Sequence, residues 1–201
     1  MALSKYAKER FTHYLCEQVI YAQGATSHLM MPRKNVENLF LTDPHNLPKN
    51  SEQLLVACTN YYFFYLQSLL TANANISKIL NNTARGKELK RYFNIDVARI
   101  PNVMDRRMRN TSDHYDERIE RIVKKLENES GNLVVDRTLK LNITWDENIR
   151  LRWLHLRYFD EETGEIKFVD ENINTISMQV DTVAEEIEYL VETLKELNTI
   201  F

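Results

Sequence analysis

The sequence predicts a mainly α fold, a four-helix up-and-down bundle with a small antiparallel β-hairpin inserted before the last helix. The 201 residues include only four glycines and four prolines, which favours long helices over a fold with many turns. Long segments carry apolar residues at steps of three and four, as amphipathic helices do. Residues that favour strands concentrate between about 132 and 170. The length suits one domain, so we expect residues 1–201 to fold together.

The first helix is predicted from Ser4 to about Gln23, and Gly24 is expected to end it, because glycine readily adopts the left-handed conformation that terminates many helices. Three prolines between residues 31 and 50 then predict an extended connector. The apolar stripe of this helix consists of Ala7, Phe11, Leu15, Val19 and Ala22.

The second helix is predicted from Ser51, a good N-cap, to about Asn81. Tyr61, Phe63 and Phe64 make it apolar almost all round. Such a helix is expected at the centre of the fold or at a subunit interface. Base stacking by these aromatic rings is the alternative interpretation.

A short basic helix over 84–93 precedes the third long helix, which is predicted to begin after Pro101 and to continue to about Leu126. Apolar residues from Met104 onward recur at helical steps through this segment. A break near Thr111 and Ser112 is the alternative, since either residue can cap a new helical segment.

From Gly131 onward the pattern favours strands. Leu133–Ile143 and Ile149–Phe159 are rich in β-forming residues, and a slip of the alternation at Leu154 predicts a bulge. We therefore expect a β insertion at about 132–170.

The insertion is predicted to close through a turn at 160–165 and a returning strand at Ile166–Val169. The last helix is predicted from about Ser177 to Asn198. This fourth helix would close the core that the first three leave open, as in a bundle.

The charge is distributed unevenly along the chain, although the net charge is only −3. Residues 85–125 hold twelve Lys/Arg and seven Asp/Glu, a net charge of +5, whereas residues 160–201 hold two and twelve, a net charge of −10. The basic middle could meet an anion, while the acidic end faces solvent or a basic partner. Solvated helix faces are the alternative.

The most informative segment is Arg106–Arg118, with four arginines, one histidine and three acidic residues. Within it, Arg109 and Asn110 precede His114 in an Arg-Asn-x-x-x-His spacing. An arginine holds a phosphate with a planar fork of donors, and a histidine moves a proton near neutral pH. These are the side chains that phosphodiester cleavage without a metal requires.

This Arg109–His114 motif resembles the Arg-x(4–6)-His signature of the HEPN superfamily, whose members use a four-helix up-and-down bundle. The asparagine after the arginine and the segment from Arg157 to the last helix are also similar to members of that superfamily. The likeness in helix order covers most of the chain, and only the short motif is sharp.

The resemblance implies a metal-independent endoribonuclease of a toxin or phage-defence type that leaves 2′,3′-cyclic phosphate ends. His114 would then assist proton transfer at the ribose 2′-hydroxyl, and Arg109 would hold the scissile phosphate. Asn110 would orient the arginine or the phosphate. RNA and an antitoxin protein are the partners that this function implies.

Helix geometry adds the expectation of a homodimer. Residues five apart on a regular helix point about 140° away from each other, so Arg109 and His114 should converge across a two-fold axis or at a break between them. Asp113 and Asp116 are expected to support this site, and Arg106 and Arg107 to contact RNA phosphates.

The competing hypothesis is a non-catalytic dimeric interaction or scaffold protein in which the motif is structural. Arg109 would then pair with Asp105 or Asp113, its neighbours four residues away on the helix face. His114 would be a half-buried histidine bonded to a backbone carbonyl.

Other chemistries lack their motifs. The chain contains no glycine-rich phosphate loop, His-Glu-x-x-His, Cys-x-x-Cys or Gly-x-Ser-x-Gly, and we expect no cofactor and no metal. Cys16 and Cys58 lie in apolar helical patterns and are expected to be buried thiols. No apolar run is long enough to span a bilayer, so we expect a cytoplasmic protein without membrane contact.

Overall fold

The computed structural model describes residues 3–42, 48–81, 83–113, 120–121, 124, 133–135, 137–139, 153–155, 157–169 and 174–195. Its helices are α1 (Lys5–Leu29), α2 (Arg33–Leu41), α3 (Ser51–Ile79), α4 (Ala84–Phe93), α5 (Pro101–Met104), α6 (Arg107–Asp113) and α7 (Val180–Lys195), with a turn of 3₁₀ helix at Val97–Arg99. Its strands are β1 (Leu133–Val135), β2 (Thr138–Leu139), β3 (Trp153–His155), β4 (Arg157–Asp160), β5 (Glu165–Val169) and β6 (Thr175–Gln179). The fold is thus mainly helical with a small sheet, as predicted.

Helix α1 begins where the sequence predicts and ends six residues later. The Ser4 hydroxyl accepts a hydrogen bond from the Ala7 amide, which caps the first turn. The helix then passes through Gly24 to Leu29, so the prediction of a stop at Gly24 was wrong. Ala25 and Leu29 are buried beyond the glycine, and their burial outweighs its helix penalty of about 1 kcal/mol.

The connector predicted over 31–50 contains a helix instead. The carbonyl of Pro32 accepts hydrogen bonds from the amides of Asn35 and Val36, so the proline starts α2. Proline has no amide to leave unpaired there and its fixed φ suits the position. Val36 is fully buried, which holds the helix against the core.

Helix α3 starts at Ser51 as predicted, but its N-cap is the preceding residue. The Asn50 side-chain oxygen accepts from the Gln53 amide at 2.8 Å. Helices α1 and α3 run antiparallel, since Gln18 is bonded to Asn75 near one end of the pair and His28 lies against Tyr61 near the other.

The third long helix is interrupted. Helix α5 ends at Met104, Asp105 is extended, and α6 begins at Arg107. The alternative of a break near Thr111 and Ser112 is not found at these two residues, because both are helical. Most of the predicted continuation to Leu126 lies outside the described residues.

The sheet is larger than the predicted hairpin. Strands β4, β5 and β6 are antiparallel neighbours, with Phe159 opposite Ile166 and Ile166 opposite Met178. Strand β2 pairs in parallel with β4, and β1 pairs in parallel with β3 in a separate ladder. Strand β6 occupies the start of the predicted last helix, so α7 begins at Val180 rather than Ser177.

The main core lies between α1, α3, α7 and the inner face of the sheet. Helix α1 packs on both α3 and α7, and α5 also packs on both α3 and α7. The two cysteines are buried free thiols, as predicted. Burial also raises the pKa of both thiols, as expected of unreactive packing residues. Large side chains buried in the core are Leu15, Leu29, Tyr62, Leu66, Leu69, Phe159 and Phe168.

Candidate functional site at the arginine helix

The predicted arginines lie together on α6 and at the residue before it. Arg106, Arg107 and Asn110 are exposed, Arg109 is half-buried, and Met108 between them is buried. The buried methionine therefore anchors this helix, while Arg106, Arg107 and Asn110 face outward. The side chain of Arg106 forms no hydrogen bond or ion pair with any residue that the structure describes.

A buried carboxylate on α7 fixes the helix that precedes α6. Glu186 Oε1 accepts from the Asn102 backbone amide at 3.1 Å and from Asn102 Nδ2 at 2.6 Å, and Oε2 accepts from the Val103 amide at 2.8 Å. Glu186 is only 5 % exposed. It thus receives the first amides of α5, which need an acceptor outside the helix.

Two further contacts set the angle between α5 and α6. The Ser77 hydroxyl donates to the carbonyl of Met104 at 3.1 Å, at the end of α5. Asp105 Oδ1 accepts from the Arg107 amide at 2.9 Å, at the start of α6. The carboxylate of the linking residue therefore holds the bend.

The Arg107 side chain also forms an ion pair with Asp105. Its Nε lies 2.8 Å and its Nη2 2.6 Å from Asp105 Oδ2. Partial burial would raise the pKa of Asp105, but the hydrogen bonds and charge of Arg107 hold it below its usual range. The Arg107 side chain is still 72 % exposed, so it is paired and open to solvent at once.

The central pair of the predicted site is described in part. Burial lowers the pKa of the half-buried Arg109 guanidinium, and Asp113 is the last residue of α6. His114 and Asp116 lie outside the described residues. The structure therefore brings Arg106, Arg107, Arg109 and Asn110 onto one short element, and their arrangement relative to His114 stays a prediction.

A small cavity lies at the junction of α3, α5, α6 and β6, with a volume of about 10 Å³ and a lining that is half apolar and half polar. Its polar lining comes from Asn73, Asn102, Asp105 and Ser177. Asn73 is 2 % exposed, and neither Oδ1 nor Nδ2 of its amide has a hydrogen-bond partner among the described residues. A buried polar group without a partner costs about 1–3 kcal/mol.

Sequence reasoning missed both Asn73 and Glu186. The available signal for Asn73 is its spacing, because it stands four residues after Leu69 and four before Ser77, on the inner stripe of α3. A polar residue on such a stripe needs either a partner or a function.

A second concavity, of about 520 Å³, runs between α1 and α3. None of the described residues that line it is Asp, Glu, Lys or Arg. At one end the His28 ring stacks on Tyr65 with centroids 3.9 Å apart, and its Nδ1 lies 2.6 Å from the Tyr61 hydroxyl. Phe64 borders the groove and is 65 % exposed.

This groove and the arginine helix lie on opposite sides of α3. Phe64 faces the groove and Asn73 faces the cavity beside α6. Nine residues separate them, which corresponds to about 180° around a helix. A ligand in the groove would therefore not touch α6.

The described residues contain no group of three or more His, Cys, Asp or Glu side chains placed to hold a metal ion. None of the helices in the described ranges combines the length and apolarity that a bilayer crossing requires. No protein-family model, curated protein or solved structure matches the chain.

Proposed function

We propose that this chain is a HEPN-like helical-bundle protein that binds RNA at α6 and cleaves it without a metal ion, in a toxin or phage-defence setting. The observation that carries the proposal is the cationic surface of α6 and the residue before it. Arg106 has no acidic partner among the described residues and Arg107 is largely exposed. The Arg106 guanidinium can exchange solution counterions for RNA phosphates, and the Arg107 guanidinium is open to solvent although it is paired with Asp105.

In the proposed reaction Arg109 holds the scissile phosphate and His114 takes the proton of the ribose 2′-hydroxyl. The 2′-oxygen attacks phosphorus, the bond to the 5′-oxygen breaks, that oxygen takes up a proton from solvent and leaves as a 5′-hydroxyl, and a 2′,3′-cyclic phosphate forms. Arg109 stabilises the charge that develops on the phosphoryl oxygens. Arg106 and Arg107 contact neighbouring phosphates, and Asn110 orients the group that Arg109 holds.

The helical continuity of α6 supports a site shared between two copies of the chain. The backbone is helical from Arg107 through Asp113, so the break that would have turned Arg109 toward His114 within this stretch is not there. On a regular helix these positions diverge. A two-fold axis that brings α6 against its counterpart places the two motifs in one cleft, with Asp113 and Asp116 supporting it.

The test is cleavage of single-stranded RNA by the purified protein in the presence of EDTA. We expect cyclic-phosphate ends from the unaltered protein and loss of cleavage in Arg109→Ala and His114→Ala, each with an unchanged melting temperature. Arg10→Ala is the matched control, because Arg10 lies on α1 and, among the described residues, its side chain donates a hydrogen bond to the Tyr6 hydroxyl alone. No cleavage by the unaltered protein, or equal loss in the control, would contradict the enzyme proposal.

The uncharged groove between α1 and α3 favours the second candidate, a non-catalytic protein that pairs with a second copy of itself. Phe64 would be the protruding side chain that enters the groove of the other copy. Light scattering tests this, with Phe64→Asp expected to convert a dimer into a monomer while RNA binding is absent throughout. A monomer before the substitution would contradict it.

A further inference from the structure

The amide of Asn73 needs a partner that none of the described residues supplies. Its Oδ1 and Nδ2 are both buried, and no described residue bonds to either. Most buried side-chain polar groups have a hydrogen-bond partner, either protein or ordered water. The next polar side chain on this face does have a partner. The hydroxyl of Ser77, one turn further along α3, donates a hydrogen bond to the carbonyl of Met104.

The size of the cavity limits what can satisfy this amide. About 10 Å³ is close to the lower limit of space that a single water-sized group needs. A phosphate or a nucleobase is several times larger than this. The site therefore suits one oxygen atom with its hydrogens.

The polar lining selects the chemistry of that oxygen. Asn73 offers two donors and one acceptor, and Ser177 offers a hydroxyl that can do either. Asp105 is an acceptor and would repel an anion. Asn102 uses its Nδ2 on Glu186, which leaves its oxygen as an acceptor. A hydroxyl group matches, since it both donates and accepts.

We propose that this cavity is a binding site for one hydroxyl group. In the free protein the hydroxyl is that of a water molecule, and in the RNA complex it is a ribose 2′-hydroxyl. The second part rests on the proposed function, since RNA lying along α6 is what brings a ribose to Asp105 and Ser177. A 2′-hydroxyl contact is also what distinguishes RNA from DNA at a given position.

The water is tested in a high-resolution crystal structure of the free protein. We expect an ordered oxygen within hydrogen-bonding distance of both Asn73 Oδ1 and Nδ2. The ribose contact is tested by fluorescence anisotropy with a short single-stranded RNA and a DNA of the same base sequence. The DNA carries deoxyuridine in place of thymidine, so that the two strands differ only at the 2′-hydroxyl. Both are measured in the His114→Ala background, in which the RNA stays intact.

The informative variant is Asn73→Leu, which keeps the branched shape and removes the amide. We expect the unaltered site to favour RNA over DNA by about tenfold, and Asn73→Leu to bind the two almost equally. Asn75→Leu is the matched control, since it makes the same change on the same helix. The Asn75 side chain donates to Gln18 on the α1 side, away from the cavity. This control variant should keep the preference, and circular dichroism checks that both variants are folded.

The outcomes separate the parts. An ordered oxygen with an unchanged RNA preference in Asn73→Leu supports the hydroxyl site with water as its occupant and overturns the ribose contact. No oxygen together with an unchanged preference overturns the proposal. If the protein binds no RNA while Asn73 holds a water, the proposed function fails and the hydroxyl site stands.

Discussion

Replacing Glu186 by alanine would remove the acceptor of three hydrogen bonds at one point of the interior. Two of the donors are the backbone amides of Asn102 and Val103, which cannot turn toward solvent, and the third is Asn102 Nδ2. The carboxylate itself is almost fully buried. The substitution therefore leaves unpaired donors and a cavity at the junction of α5 and α7.

The magnitude follows from the donors that lose their partner. Each backbone amide left unsatisfied costs about 1–3 kcal/mol, and the half-buried side chain of Asn102 adds less because it can reorient. We expect Glu186→Ala to lower the free energy of unfolding by about 4 kcal/mol. Glu186→Gln keeps the Oε1 acceptor but places the amide NH2 group of the glutamine against the Val103 amide. It should lower the free energy of unfolding by about 2 kcal/mol.

Urea denaturation followed by circular dichroism measures both values. Glu188→Ala is the matched control on the same helix, since Glu188 is exposed and its one hydrogen bond to a described residue is with Gln23, at 3.5 Å. Its effect should stay within about 0.5 kcal/mol. A loss in Glu186→Ala no larger than in Glu188→Ala would refute the view that this carboxylate holds α5 in place.

Further predictions concern four single positions. Gly24→Ala should raise the free energy of unfolding by about 0.5–1 kcal/mol in thermal or urea melts, because a Cβ there meets no atom within 4 Å. Gly86→Ala should lower the free energy of unfolding, because its Cβ would collide with the Asn81 carbonyl. The pKa of Asp105 is lowered in the folded state. Its contribution to stability is therefore present above its unfolded pKa and is lost as the pH falls through its folded pKa. Asp105→Asn should make the free energy of unfolding less dependent on pH in this acidic range. If α6 binds RNA phosphates, Arg106→Ala should reduce the salt dependence of binding by about one counterion, and an unchanged slope in an anisotropy titration would place RNA elsewhere.

The elements that could be predicted are those whose signal is local. Helix α3 carries uninterrupted apolar periodicity, and the starts and ends of α3 and α4 lie within two residues of the prediction. Gly24 and Pro32 were misread because the outcome at a glycine or proline depends on tertiary burial around it. Residues beyond Gly24 are buried against the core, so the helix continues there.

The sheet shows the same limit. Strand β6 has the alternation of a short strand, with Met178 buried and Ser177 exposed. That pattern is too brief to be separated from the first turn of a helix without the partner strand β5. The parallel pairing of β2 with β4 joins segments about twenty residues apart, and no local pattern encodes such a contact.

At the candidate site, the sequence identified the charged side chains and missed the residues that place them. Glu185, Glu188 and Glu192 are exposed, as expected for an acidic helix face. Glu186 belongs by composition to the same acidic run, yet it is the buried acceptor for α5. Glu186 differs from these exposed residues in its angular position around the axis of α7. The side of α7 that Glu186 occupies is identified as buried only once α5 is known to pack against it.

The bend at Asp105 leaves α5 as a very short helix. It has four residues, whereas isolated helices shorter than about 12–15 residues are marginal in water. Helix α5 therefore depends on its contacts to Glu186 and the core, so this corner should open at a lower free energy than the whole molecule. The bend is followed directly by Arg106 and Arg107, which are cleavage positions for trypsin. Limited proteolysis at these arginines would therefore report how often the corner detaches while the rest of the protein stays folded.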